Sequence, residues 1–265
     1  MLERQEQLRG RPWPPALRWF PMWRRNALVW RKLAVASLVG NFGEPLLYLL
    51  ALGYGLGTLI DEVDGMPYFH FLASGIVCSS AMMTASFEGT YSAYSRMAVQ
   101  RTWDGVTTAP LSIADVVSAE IIWAASKALL SASAILVVAA FMDITAGPRA
   151  LLALPVLFLC GLTFGALALV VTTLARSYDF FMFFTTLFVT PLLLLSGVFF
   201  PLSQMPAVVQ SLALTLPLSH AVAVVRPLVA GQPLEAPVVH LSVLVSYGVI
   251  AWLAAIYLAQ RRLRA

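Results

Sequence analysis

An all-α membrane protein is the fold class this sequence predicts: six transmembrane helices, an N-terminal interfacial helix, and an extracytoplasmic re-entrant helical pair between spans 5 and 6. Three observations lead there. Of 265 residues, 60% are hydrophobic and 11% charged, against about 25% charged in an ordinary soluble domain. Surface-to-volume scaling leaves no soluble core able to hide that much apolar surface. The apolar residues come in long runs, each near or above the ~20 residues that cross the hydrocarbon core. The basic residues gather at the chain ends and in alternate connections.

Residues 1–32 divide into a polar, proline-rich tail (1–16) and a basic, aromatic stretch (17–32). Arg4, Arg9, Arg11, Arg18, Arg24, Arg25, Arg31 and Lys32 all precede the first apolar run. Cations interleaved with Trp19, Phe20, Trp23 and Trp30 suit a helix lying on an anionic membrane face, which is a better account than nucleic-acid binding. The interfacial residues singled out are Trp23, Arg24, Arg25 and Trp30. The first apolar run is far longer than a signal-peptide core, so no cleaved leader is expected.

Residues 33–265 form the membrane domain, with spans at about 33–59, 68–90, 113–141, 150–174, 180–200 and 238–259. Span 1 carries Asn41, Glu44 and Pro45. A proline lacks the donor that a continuous helix uses, so a kink is expected there. The polar connection 91–112 ends in Ser112-Ile-Ala-Asp115, the form of a capped helix start that opens span 3. Residues 201–237 are apolar but broken by Pro201, Pro206, Pro217, Pro227, Pro233 and Pro237. Their two pieces, 207–216 and 219–228, are too short to span and suit re-entrant half-helices. Lys and Arg fall in the N-terminal arm, in 91–112, at Arg176 and in the C-terminal tail, while the other connections hold none or one. The positive-inside rule then puts both termini in the cytoplasm and the re-entrant pair outside.

The chemistry-bearing residues exclude several classes. A P-loop needs Gly-Lys-Ser/Thr, but Lys32 is followed by Leu33 and Lys127 by Ala128. Nucleotide hydrolysis therefore needs another chain. His70, His220 and His240 are far apart in sequence and match no metal spacing, so no metal site is expected. Cys78 and Cys160 sit inside apolar runs as small hydrophobes. The Ser-Gly pairs at Ser74 and Ser196 lack the upstream glycine of a nucleophile turn, and no catalytic residue is assigned. The ionisable residues inside apolar runs are Glu44, Glu88, Glu120 and Lys127, each either a functional group or structural ballast. Gly161 and Gly165 form a GxxxG pair of low specificity that favours close helix packing. Arg96, Gln100, Arg101, Thr102, Trp103 and Asp104 form a cation-rich, aromatic stretch with the composition of a contact for a soluble partner, or of an ordinary hydrated connector. From the residues alone, an exporter permease, an ion-coupled transporter and a non-transporting assembly subunit all stay open.

Several motifs carry a resemblance: Trp23-Arg-Arg-Asn26, Gly40-Asn-Phe-Gly-Glu-Pro45, Gln100-Arg-Thr-Trp103, Ser177-Tyr-Asp-Phe180, Leu195-Ser-Gly-Val-Phe-Phe-Pro201, Pro217-Leu-Ser-His220 and Val225-Arg-Pro227. In these the chain resembles the ABC-2 permease family and, within it, the nodulation protein J group. The resemblance implies a homodimer of permeases in a bacterial inner membrane, served by two cytoplasmic P-loop ATPase subunits that bind ATP and Mg. No cofactor is then held by this chain, and its other contacts are membrane lipids rather than nucleic acid. It further implies that Arg96–Asp104 couples to the ATPase and that the segment after span 5 forms an external gate. The cargo it implies is an amphipathic lipid-linked or glycosylated molecule such as a lipo-chitin oligosaccharide. Asn41, Glu44, Ser196, Phe199, Phe200 and His220 are the candidates for the translocation path or gate.

Overall fold

The computed structural model describes residue 14, residues 17–107 and residues 111–264, without the side chains of 36, 38, 39, 41, 42, 44, 106, 107 and 264. The tail assigned to 1–16 therefore lies almost wholly outside the described residues. The described chain is mostly helical. Helix α1 is Phe20–Arg31 and α2 is Ala34–Gly57, which runs through Pro45. A two-residue hairpin follows, β1 Glu62–Val63 with β2 Met66–Pro67. Asp64 and Gly65 hold positive φ angles of 49° and 72° at its tip. An Asp-Gly pair is the favoured chemistry for such a turn, because both central residues must enter left-handed space.

Helix α3, Tyr68–Phe87, continues through two π-type turns, Glu88–Ser92 and Ser95–Val99. It is the central helix of the bundle. Its buried residues include Ser74, Ser79, Ser80, Thr84 and Ser86, small polar residues that let helix backbones approach closely; Ser74 and Ser79 donate to the Phe71 and Ile76 carbonyls in their own turns, and Ser80 pairs with the Ser131 hydroxyl on the neighbouring helix. A short α4, Thr102–Thr107, leads towards α5, Ile113–Phe141. The expected start of α5 is present as a full capping box. The Ser112 hydroxyl accepts from the Asp115 amide, and the Asp115 carboxylate accepts from the Ser112 amide. After a 3₁₀ segment, Gly147–Leu152, comes α6, Ala153–Leu174. Gly161 and Gly165 pack α6 onto α5: a Cβ on Gly161 would lie 2.9 Å from the Ala125 Cα, and one on Gly165 would lie 3.1 Å from the Ala124 Cβ.

Helices α7, Asp179–Phe184, and α8, Thr190–Leu195, are joined by the π-type turn Thr185–Val189. Then come α9, Ala207–Ala213, α10, Pro217–Ala230, and α11, Pro237–Arg264. Among the described residues four helical stretches are long and apolar enough to cross a membrane: Tyr68–Val99, Ile113–Phe141, Gly147–Leu174 and Pro237–Leu263. A fifth is reached if α9 and α10, bent by 86° to each other, are taken as one span. Pro45–Gly57 and Asp179–Leu195 are shorter apolar helices.

One difference from the sequence reading matters for the site. The second apolar helix does not stop near residue 90 but runs to Val99. The extra turns carry Arg96 into the bundle, where it pairs with Glu88 of the same helix and Glu120 of α5, while Lys127 of α5 pairs with Glu88. Arg101, at φ 49°, then turns the chain out of the helix.

Candidate functional site

Glu88, Glu120 and Lys127, scattered through the sequence, meet in one cluster with Arg96. The Arg96 Nε donates to Glu120 Oε1 at 2.9 Å and Oε2 at 3.1 Å, and its Nη2 also reaches Oε2. The Arg96 Nη1 lies 2.9 Å from Glu88 Oε1, and Lys127 Nζ lies 2.7 Å from Glu88 Oε2. Two carboxylates and two cations leave the cluster with no net charge. That balance is what makes it tolerable with Glu88 only 2% and Glu120 only 1% exposed, since an unpaired buried charge is costly.

Neutral donors complete the cluster and tie it to two other elements, α1 and α4. The Trp123 indole donates to Glu88 Oε1 at 2.9 Å, and the Trp103 indole to Glu120 Oε1 at 3.3 Å. Asn26 Nδ2 donates to Glu120 Oε2 at 3.4 Å, and the Trp23 indole donates to the Ser126 hydroxyl at 3.1 Å. Glu120 is thus a single acceptor shared by α1, the end of the α3 helix and α4. A displacement of α4 or α1 is felt directly on α5 through it.

The stretch Arg96–Asp104 is split by this arrangement. Arg96 and Trp103 point inward, and Trp103 is fully buried, which corrects the expectation that both are open to a soluble partner. Arg101, Gln100 and Asp104 are exposed, and Thr102 is half-buried, accepting from Arg25 Nη2 at 3.3 Å. The buried cluster drew the indole inwards, because Glu120 still had lone pairs to fill. Of the α1 residues, Trp23, Arg25 and Trp30 are half-buried against the bundle and Arg24 is exposed.

Of the gate candidates, Ser196, Phe199, Phe200 and His220 have described side chains. The side chains of Asn41 and Glu44 lie outside the described residues. Ser196 is buried with no hydrogen-bond partner for its hydroxyl among the described residues, Phe199 packs on Tyr48 with ring centroids 6.1 Å apart, and Phe200 is exposed. His220 is buried and pairs with His240, Nδ1 to Nδ1 at 2.8 Å. The Leu214 carbonyl can only accept, so His220 Nε2, 2.9 Å away, carries a proton; in a neutral ring His220 Nδ1 then accepts from His240 Nδ1. Neither partner was foreseen, because nothing in sequence marks two histidines 20 residues apart as neighbours.

Two arginines were undervalued by the sequence reading. Arg226 on α10 stacks over Phe71 at 3.6 Å and donates to the Ser74 hydroxyl at 3.1 Å and the Gly197 carbonyl at 2.7 Å. It clasps α10 to α3 and to the turn after α8, where Gly197 holds φ 74°. A lone arginine in an apolar stretch was the available signal. Arg262 donates from Nη1 to the carbonyls of Thr172, Thr173 and Ala175, closing the C-terminal end of α6 with a cation.

A family model described as ABC-2 type transporter matches residues 18–229. The match runs from the start of α1 to the end of α10, and so contains the ion cluster, the exposed Gln100, Arg101 and Asp104 and the Arg226 clasp. Nodulation protein J of Sinorhizobium fredii (strain NBRC 101917 / NGR234) is 44% identical over 256 residues, which cover 97% of this chain and 96% of that protein. Nodulation protein J of Rhizobium leguminosarum bv. viciae is 45% identical over 93% of this chain and 95% of its own length. The same protein of Rhizobium leguminosarum bv. trifolii is 46% identical over 94% and 95%.

Proposed function

The chain belongs to the ABC-2 type transporter family, and we propose that it is the membrane permease subunit of an ATP-driven exporter. Its cargo is an amphipathic, lipid-linked or glycosylated molecule of the lipo-oligosaccharide kind, moved out of the cytoplasm or inner leaflet. The reading is carried by the family match together with full-length likeness to proteins named nodulation protein J. The chain holds no Gly-Lys-Ser/Thr sequence, so ATP and Mg belong to separate cytoplasmic P-loop ATPase subunits, two of them serving a permease homodimer in the bacterial inner membrane.

In this reading the helix α2 and the stretch α7–α8 complete six spans, α1 lies at the inner surface, and α9 and α10 form the external re-entrant pair. Both termini are cytoplasmic. The ATPase contact uses the exposed Gln100, Arg101 and Asp104. Behind them Trp103 and Arg96 deliver the displacement to Glu120, and so to α5 and α1. The four-charge cluster acts as a stiff joint, because its members are buried, mutually bonded and unable to separate without exposing an unpaired charge.

The test is reconstitution. The purified permease should hydrolyse no ATP by itself; with its ATPase, in sealed vesicles, it should move an N-acylated chitin oligosaccharide only when ATP is added. Transport by the complex driven by an imposed proton gradient without ATP would overturn the assignment.

A further inference from the structure

Beside the ion cluster a cleft of about 470 Å³ lies between α1, α2, the α3 helix and α5, with Tyr178 also in its lining. That volume falls within the roughly 300–1,000 Å³ of small-molecule sites. Three features set the cleft apart from a packing defect. Its charged lining is Arg25, Arg96, Lys127 and Glu88, so cations exceed carboxylates even after Glu120 is counted behind Arg96. The partners described for Arg25 are neutral oxygens, of Asn26 at 3.2 Å and Thr102 at 3.3 Å. The Lys127 ammonium carries three donors, and the acceptor described for it is the Glu88 carboxylate alone.

The second feature is an orphan. The Trp30 indole N–H lines this region and is buried without an acceptor among the described residues. A buried donor left unmade costs free energy, and an acceptor on a bound molecule relieves it. The third is aromatic. Phe87 stacks on Tyr91 at 4.9 Å and Tyr91 on Tyr178 at 6.1 Å, while Trp30 meets Trp123 edge to face at 6.0 Å. Aromatic rings and N–H donors line the same cleft, the combination a pyranose needs, since its C–H face packs on an aromatic ring while its hydroxyl and amide oxygens accept.

The cleft also has an apolar way out. Val29, Leu33 and Phe87 line it and are each more than half exposed. A headgroup seated against Arg25, Trp30 and Lys127 can therefore leave an acyl chain lying along these residues in the surrounding lipid. We propose that this cleft binds the sugar headgroup of an acylated glycan before it is moved. This rests on the exporter reading and supplies the loading site that reading lacked.

The test uses the permease–ATPase complex in nanodiscs of phosphatidylethanolamine and phosphatidylglycerol, with an N-acylated chitotetraose bearing a diazirine on one sugar. Photolabel is expected on peptides containing Trp30, Tyr91 or Tyr178, competed by unlabelled acylated chitotetraose but not by myristate or added phosphatidylglycerol. Trp30→Phe removes an indole donor that has no acceptor among the described residues and keeps an aromatic ring against Trp123, so the variant should still fold and assemble while labelling weakens roughly fivefold. Arg25→Gln should weaken it roughly tenfold. Label elsewhere on a complex that still transports the probe overturns the cleft and leaves the exporter standing. Insensitivity to both variants does the same, and so does equal competition by phosphatidylglycerol, which would mark a membrane-lipid site. A parent complex that neither transports the probe nor raises its ATP turnover overturns the exporter reading, and the cleft assignment with it.

Discussion

Replacing Glu120 by Met removes one of four mutually neutralising charges and leaves a buried guanidinium with a surplus positive charge. Arg96 loses its two-oxygen partner on Glu120 and must share Glu88 with Lys127. Breaking a buried pair from one side costs about 3–5 kcal/mol. At about 2–4 °C per kcal/mol for a chain of this size, the midpoint of thermal unfolding should fall by roughly 6–20 °C. Arg96→Met should be similarly harmful, because it strands the Glu120 carboxylate. The double variant Arg96→Met, Glu120→Met removes one charge of each sign and keeps the Glu88–Lys127 pair. Its midpoint should lie above those of both single variants, although Trp103 and Asn26 still lack their acceptor. The assay is tryptophan fluorescence against temperature in detergent, with monodispersity checked by gel filtration. If the double variant loses as much as the two single losses added together, the charges are not coupled and the cluster is no joint.

Gln100→Ala with Arg101→Ala should leave the midpoint unchanged and weaken co-purification with the ATPase, since both side chains are exposed. Trp103→Ala should instead cost about 3–5 kcal/mol of packing and so lower the midpoint, which thermal melts of the two variants will separate. Arg226→Lys keeps the charge but cannot both stack on Phe71 and reach Ser74 and Gly197. It should lose stability by roughly 1.5–3 kcal/mol, and cysteines placed in the turn at 197–200 should become faster to label. Single cysteines at Asp64 and Gln232 should react with an impermeant maleimide from outside intact cells, and one at Arg264 only after permeabilisation; the reverse pattern would invert the topology.

The class of this protein was legible in the sequence because membrane insertion is decided by composition and run length, both local properties. Long apolar runs among few charges, prolines bracketing α9 and α10, and the Ser112–Asp115 cap each act within a helix turn or two, and each is seen in the structure. The absence of a P-loop is likewise a statement about adjacent residues. The site was less legible, because it is assembled across elements. Glu88, Glu120 and Lys127 could be marked as costly in lipid, but their bonding to one another and to Arg96 depends on how far the α3 helix continues and how it faces α5. That same packing turned Trp103 from an expected surface contact into a buried donor, and left Arg101 and Gln100 outside. The His220–His240 pair, the Arg226 clasp and the cleft beside Trp30 lay beyond any sequence pattern, since side chains tens of residues apart acquire partners only when helix packing sets their distance.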